Sequence, residues 1–161
     1  MSKSAIERVS VVKAEPCHIP HIAENMRKAD RDEIWTAAMT TPREALERGL
    51  ERSKKCYTGL YDGVPVVMFG VCENKFVMYR HGSIWLLGTD DLEKYQVSFL
   101  RYCQRFMPDL TEGFHLVENY IDSRNTKTMR WLRWLRFDII EEPILVGEDR
   151  VPFFRFEMRA K

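Results

Sequence analysis

The sequence predicts a single α/β (α+β) domain. Three observations carry this. Runs rich in β-branched and aromatic residues alternate with stretches of helical apolar spacing along the whole chain. An Asp62-Gly63 pair stands between two strand-like runs, as in a tight hairpin. The near-continuous apolar run SIWLLGT, residues 83–89, has the character of a strand covered on both faces.

The elements follow in order. Residues 9–14 (VSVVKA) read as a first strand, ended by EPCHIP. Ile19, Ile22, Ala23 and Met26, then Ile34, Trp35, Ala38 and Met39, recur at helical spacing and predict two short helices or one bent pair over residues 18–39. Thr41, Pro42 and Glu44 give an N-cap, a proline in the first turn and a capping box, for a helix reaching about residue 54. The hairpin CYTGLYDGVPVVMFGVCE comes next, then a less regular NKFVMYRHG and the central strand SIWLLGT. Asp90 and Glu93 in capping-box positions open a long helix with Leu92, Tyr95, Phe99, Tyr102, Cys103 and Phe106 on one stripe, and Pro108 is expected to stop it. FHLVENYI is a strand, SRNTKTMRWLRWLR a helix, and FDIIEEPILV and VPFFRFEM a final strand pair turning at Gly147-Glu148-Asp149.

At 161 residues the chain fits one domain, residues 1–161, able to bury a core without disulfides or metals. Its 25 basic and 24 acidic side chains leave a net charge of +1, so no global field directs it to nucleic acid or to a membrane. MSKSAIERVSVV contains no apolar signal-like core and the apolar runs are too short to span a bilayer, so a cytoplasmic location is expected. Cys17, Cys56, Cys72 and Cys103 lie in apolar patterns without CxxC spacing and read as reduced core thiols. The Cys17-His18-x-x-His21 donors fall on an amphipathic helix and lack a fourth ligand, so no metal site is expected. There is no Gly-x-Ser-x-Gly motif and no P-loop.

The element order resembles the GNAT acyltransferases over essentially the whole chain. Their pattern V…N-x-x-A-x-x-L-Y-x-K-x-G-F is matched without a gap by Val117, Asn125, Thr128, Trp131-Leu132, Arg136 and Phe137. HIAENMRKADRDEIW, YDGVPVVMFGV, WLLGTDDL and SRNTKTMRWLRWLRF look like the GNAT-like proteins of tailed phages and prophages, a group similar to an internal virion protein of short-tailed coliphages. The resemblance implies a GNAT-like mixed central sheet of six to seven strands flanked by about four helices. It also implies acetyl-CoA or another acyl-CoA as cofactor, a phage or host protein as partner, and the host cytoplasm or the virion as location.

The same resemblance places the pantetheine along Leu86, Leu87, Gly88 and Thr89, with Asn125 either hydrogen-bonded to it or, as a helix N-terminal residue near Ser123, capping the backbone. By position on their strands Glu118 and Glu73 are candidate general bases, and Tyr120 or Tyr79 could stand in for the family's acidic tyrosine, whose place Leu132 holds. Where the family has a glycine-rich pyrophosphate loop this chain reads Gly88-Thr89-Asp90-Asp91-Leu92-Glu93, and three carboxylates repel a pyrophosphate while favouring a helix N-terminus. Two readings therefore stand side by side: an N-acyltransferase, and a GNAT-shaped virion or protein-binding component without catalysis. The tryptophan-bearing helix after Asn125 is read as a core wall with solvated arginines rather than a nucleic-acid grip.

Overall fold

The computed structural model of the chain describes Ser4, residues 8–76 and residues 79–160. Residues 77 and 78 of the irregular NKFVMYRHG segment lie outside the described residues. The elements are β1 (Val9–Lys13), a 3-10 turn (Pro16–His18), α1 (Ile19–Glu24), α2 (Lys28–Ala38), α3 (Pro42–Arg52), β2 (Ser53–Tyr61), β3 (Val64–Asn74) and β4 (His81–Gly88), followed by α4 (Asp90–Lys94), α5 (Gln96–Thr111), β5 (Leu116–Asp122), α6 (Thr126–Trp134), β6 (Asp138–Val146) and β7 (Val151–Arg159).

Seven strands form one mixed sheet in the order β1-β2-β3-β4-β5-β7-β6. Each neighbouring pair is antiparallel except β4 and β5, which are parallel. That parallel pairing covers only His81 with Leu116, Gly82 with Val117 and Ser83 with Glu118. Past it the two strands part, and the Asn119 side-chain amide donates across the split to the Ile84 carbonyl at 2.7 Å. The sheet is thus two antiparallel halves joined along a short seam.

Alternation along the strands sends one set of side chains to each face. Val67, Phe69, Val71, Ile84, Val117 and Ile121 pack with Phe99 and Leu110 of α5 and with Trp131 and Leu132 of α6. Met68 and Leu87 point the other way, to Ile19, Ile22 and Leu46 of α1 and α3, with Trp85 partly buried beside them. This second cluster draws on β2 to β4, and the same face of β5 and β7 carries Glu118, Arg155 and Glu157 beside Tyr120 and the buried Phe153.

The local signals act as their chemistry requires. Asp62 takes φ 49° and Gly63 φ 79° in the β2–β3 turn, the left-handed backbone that a tight hairpin needs. Thr41 accepts from the Glu44 N–H, and the Glu44 side chain accepts from the Thr41 N–H, closing the capping box. Several expectations are corrected. The helix after β4 breaks at Tyr95 into α4 and α5, and Thr89 is the N-cap of α4 without a side-chain cap bond, because Asp90, Asp91 and Glu93 all fall inside the first turn. Pro108 lies within α5, which runs on to Thr111. Trp35 and Met39 are exposed and Asp30 is buried, so α2 turns a different stripe inward than its apolar spacing indicated. Cys17 is exposed and only Cys103 is fully buried, and all four thiols are free.

Helix α6 ends in a Schellman motif: the Arg136 N–H donates to the Arg133 carbonyl and the Phe137 N–H to the Leu132 carbonyl. Arg136, which stands where the GNAT pattern carries glycine, is held at φ 72°. A left-handed conformation costs a non-glycine residue about 1–2 kcal/mol, partly offset by the greater unfolded-state freedom of glycine. Arg136→Gly is therefore expected to stabilise the fold by about 0.5–1 kcal/mol, read as a higher urea midpoint at unchanged m-value.

Candidate functional site

The split between β4 and β5 opens into a cavity of about 490 Å³ that reaches both layers of the fold. Leu86, Leu132 and Met107 line it from the α5–α6 side, and Trp85, Ile34 and Gly49 from the α2–α3 side. Its end toward the C-termini of the two strands is closed by the first turns of α2.

That closure starts in the backbone. Met26 forms an isolated antiparallel bridge with Thr89, and the Arg27 N–H donates to the Gly88 carbonyl at 2.9 Å. Anchored there, α2 places Asp30 directly on the end of β4: its Oδ2 accepts from the Gly88 N–H at 2.9 Å and from Arg27 Nε at 3.0 Å, while Oδ1 accepts from Arg27 Nη2 at 2.6 Å. Arg27 and Asp30 are each 2% exposed. Burial pushes the Asp30 carboxyl up, against the pull of Arg27 and the Gly88 N–H. The guanidinium also lies 4.9 Å from the Trp131 ring. It is 3.8 Å from Glu93, whose other oxygen meets Lys127 at 2.9 Å.

One turn further along α2, Glu33 reaches the end of β5. Its Oε1 accepts from the Asp122 N–H at 3.2 Å and from the Asn125 side-chain amide at 3.1 Å. Burial raises its pKa from 4.5 to about 7, with the neighbouring Asp30 charge adding to the rise and the Asn125 hydrogen bond opposing it. The two carboxylates of α2 thereby stopper the ends of both diverging strands.

The residues that the sequence singled out fall into three places. Leu86 and Leu87 line the cavity, as does Tyr120, which is 42% exposed. Gly88, Thr89 and Asn125 stand at the closed end. The Gly88 N–H is taken by Asp30 and the Thr89 N–H by the Val66 carbonyl, and Asn125 both caps α6 through the Thr128 N–H and holds Glu33. Glu118 lies outside the cavity lining, on the polar face of β5, where it meets His81 at 3.0 Å and Arg155 at 2.8 Å, and Glu157 joins Arg155 at 2.9 Å. Glu73 is exposed near the end of β3, and strand alternation puts it on the opposite face from Glu118. Tyr79 is 72% exposed and does not line the cavity. Glu15, Cys17 and His18 bring donor atoms within 4.8 Å of one another. There His18 Nδ1 already accepts from the Glu15 N–H at 3.1 Å and lies 2.9 Å from the Thr58 hydroxyl.

Arg27, Asp30 and Glu33 were missed from the sequence. Their spacing at i, i+3 on α2 puts them on one side of the helix, but polar residues so spaced usually face water.

The sequence matches no family model and no curated protein. Solved structures do match. A GCN5-related N-acetyltransferase from Kribbella flavida superposes with a TM-score of 0.71 at 16% identity, covering 96% of this chain and 99% of its own. The spermidine N-acetyltransferase of Vibrio cholerae, solved in complex with CoA and spermine, gives 0.67 at 8% identity, with coverage of 95% and 96%. The ribosomal-protein-S18-alanine N-acetyltransferase of Escherichia coli gives 0.64 at 9% identity, with coverage of 94% and 93%. The chain has the GNAT fold.

Two stability measurements test the closed end. Asp30→Ala leaves the buried Arg27 without its carboxylate and is expected to cost about 3–5 kcal/mol in chemical denaturation. Asp30→Asn, which keeps an acceptor for the Gly88 N–H, costs less. For Glu33 the folded pKa lies above the unfolded one, so the native state holds the extra proton between pH 4.5 and about 7. Stability from this group is complete below that window and falls as pH rises through it, by roughly 3 kcal/mol. Glu33→Gln removes this slope, and unfolding titrations at pH steps across the window read it.

Proposed function

We propose that this chain is a GNAT-fold protein of phage or prophage origin that works by binding a phage or host protein, in the virion or the host cytoplasm, and not by acyl transfer. The observation that carries the reading is the occupation of the cofactor's polar contacts by the chain's own helix. The Gly88 N–H and the Asn125 amide, two of the groups that the family resemblance assigns to acyl-CoA, donate instead to Asp30 and Glu33 of α2. Beyond them the turn into α4 carries Asp90, Asp91 and Glu93, which oppose a pyrophosphate. Leu132, at the position of the family's acidic tyrosine, has no proton to give. The phage assignment rests on the sequence blocks that resemble GNAT-like phage proteins.

A second reading is favoured by the cavity itself. In an acyl-CoA-dependent N-acyltransferase the thioester would lie between β4 and β5 along Leu86, Leu87, Gly88 and Thr89, with Asn125 on the pantetheine. An amine would add to the thioester carbonyl, Glu118 would take the amine proton through water, and the Tyr120 hydroxyl at the cavity wall would protonate the departing thiolate, while Glu73 stands on the opposite face of the sheet. The acetyltransferase activities of the solved proteins with this fold support that course. It requires α2 to release both strand ends before a cofactor enters.

Isothermal titration of the purified chain with acetyl-CoA, and in parallel with CoA, separates the two. The expected result is no saturable heat at millimolar ligand. Micromolar binding would overturn the binding-only reading and start a search for the amine.

A further inference from the structure

We propose that the cavity between the two sheet halves binds a straight-chain aliphatic carboxylate, with its tail among the apolar walls and its head on Arg48 and Arg52. This goes beyond the function proposed above and does not depend on it, since no acyl-CoA contact is involved.

The argument begins on α3. Its cavity-facing stripe is Ala45, Arg48, Gly49 and Arg52, at i, i+3, i+4 and i+7. Two small residues stand where a helix covering a sheet normally supplies bulk: Ala45 adds little volume to the space, and Gly49 admits the Trp85 ring against the helix. At Gly49 the fit is already close, because a Cβ there would lie 2.6 Å from the Trp85 ring. Trp85 is fixed in that pose by donating to the Ser53 hydroxyl at 2.8 Å. The cavity, at about 490 Å³, has walls contributed by Ile34, Ala37, Leu86 and Leu132, all apolar. Its size falls within the range of small-molecule sites.

Charge gives the space a direction. At the strand-end closure the charges are already matched: Asp30 is paired with Arg27, and Glu33 is taken by the Asp122 N–H and the Asn125 amide. The α3 rim is basic: Arg48 and Arg52 are exposed, and among the described residues neither has a carboxylate within ion-pair distance, whereas Arg43 on the same helix pairs with Glu47 at 3.6 Å. An anionic head finds the cation already paired at that end and is met at the rim by two guanidiniums one helical turn apart. Guanidinium forks suit a carboxylate in particular. An uncharged chain gains only the burial, and a cationic head is opposed at the rim.

The test is titration of the full chain with dodecanoate below its micelle concentration, followed by calorimetry and by Trp85-dependent fluorescence, with dodecanol and dodecyltrimethylammonium alongside. Saturable one-site binding of dodecanoate is expected, weaker binding of dodecanol, and the weakest of the cation. Arg48→Gln with Arg52→Gln should lower the affinity for dodecanoate about tenfold, to the level of dodecanol, and leave dodecanol unchanged. Both arginines are exposed, so the doubly substituted chain keeps its melting curve, and each single variant gives the same comparison at smaller size. Absence of saturable binding, an affinity unchanged by the double substitution, or equal binding of the cation would overturn the proposal.

Discussion

The placement of α2 depends on one buried interaction, the bidentate pair between Arg27 and Asp30 with the Gly88 N–H as its third member. A guanidinium and a carboxylate in the interior tolerate little displacement, since each loses its hydration and recovers it only through the other's fixed donors and acceptors. The pair therefore fixes α2 to the end of β4 within hydrogen-bond tolerance. Trp131 lies over the Arg27 guanidinium, so α6 is positioned against the same point. From that placement follow the contact of Glu33 with β5, the closure of the strand ends, and the direction in which the cavity remains open.

The parting of β4 and β5 gives this arrangement its chemical character. Three residue pairs hold the strands together, and beyond them backbone groups that a longer ladder would satisfy need other partners. Asn119 takes the Ile84 carbonyl, Asp30 takes the Gly88 N–H and Glu33 takes the Asp122 N–H. In a fold built to receive a ligand in this gap, the ligand's polar atoms would serve these groups. Here side chains of the protein serve them. Beside the gap, His81, Glu118, Arg155, Glu157 and Arg159 lie within ion-pair distance of one another in a row across β4, β5 and β7.

Much of the fold was legible because its signals are local. The Asp62-Gly63 turn, the Thr41-Glu44 capping box, the apolar run of β4 and the stripe of α5 each act through neighbours in sequence, and the GNAT pattern around Asn125 carried the strand and helix on which the site is built. The closed end was not legible. Asp30 meets Gly88 across 58 residues of chain and Glu33 meets Asp122 across 89. Nothing in the local pattern distinguishes a carboxylate that caps a distant strand from one that faces water. For the same reason Trp35 and Met39 read as the inner face of α2, whereas its polar stripe was the one drawn inward. Helix α4 parts from α5 at Tyr95, whose φ of -112° and ψ of 25° leave the helical region.

The short ladder at the centre of the sheet also divides the chain in time. Strands β1 to β4 pair mostly with their sequence neighbours, β2 with β3 and β3 with β4, so their contacts need no residue beyond Gly88 to be in place, and low sequence separation favours early pairing. The β5, β7 and β6 group, with α6, comes from one continuous C-terminal stretch and closes on itself through hairpin-like pairing. As the chain leaves the ribosome, the first half can be a sheet before the second exists. The edge of β4 then waits unpaired, and Asp30 of α2, on the Gly88 N–H, shields its end from intermolecular strand addition.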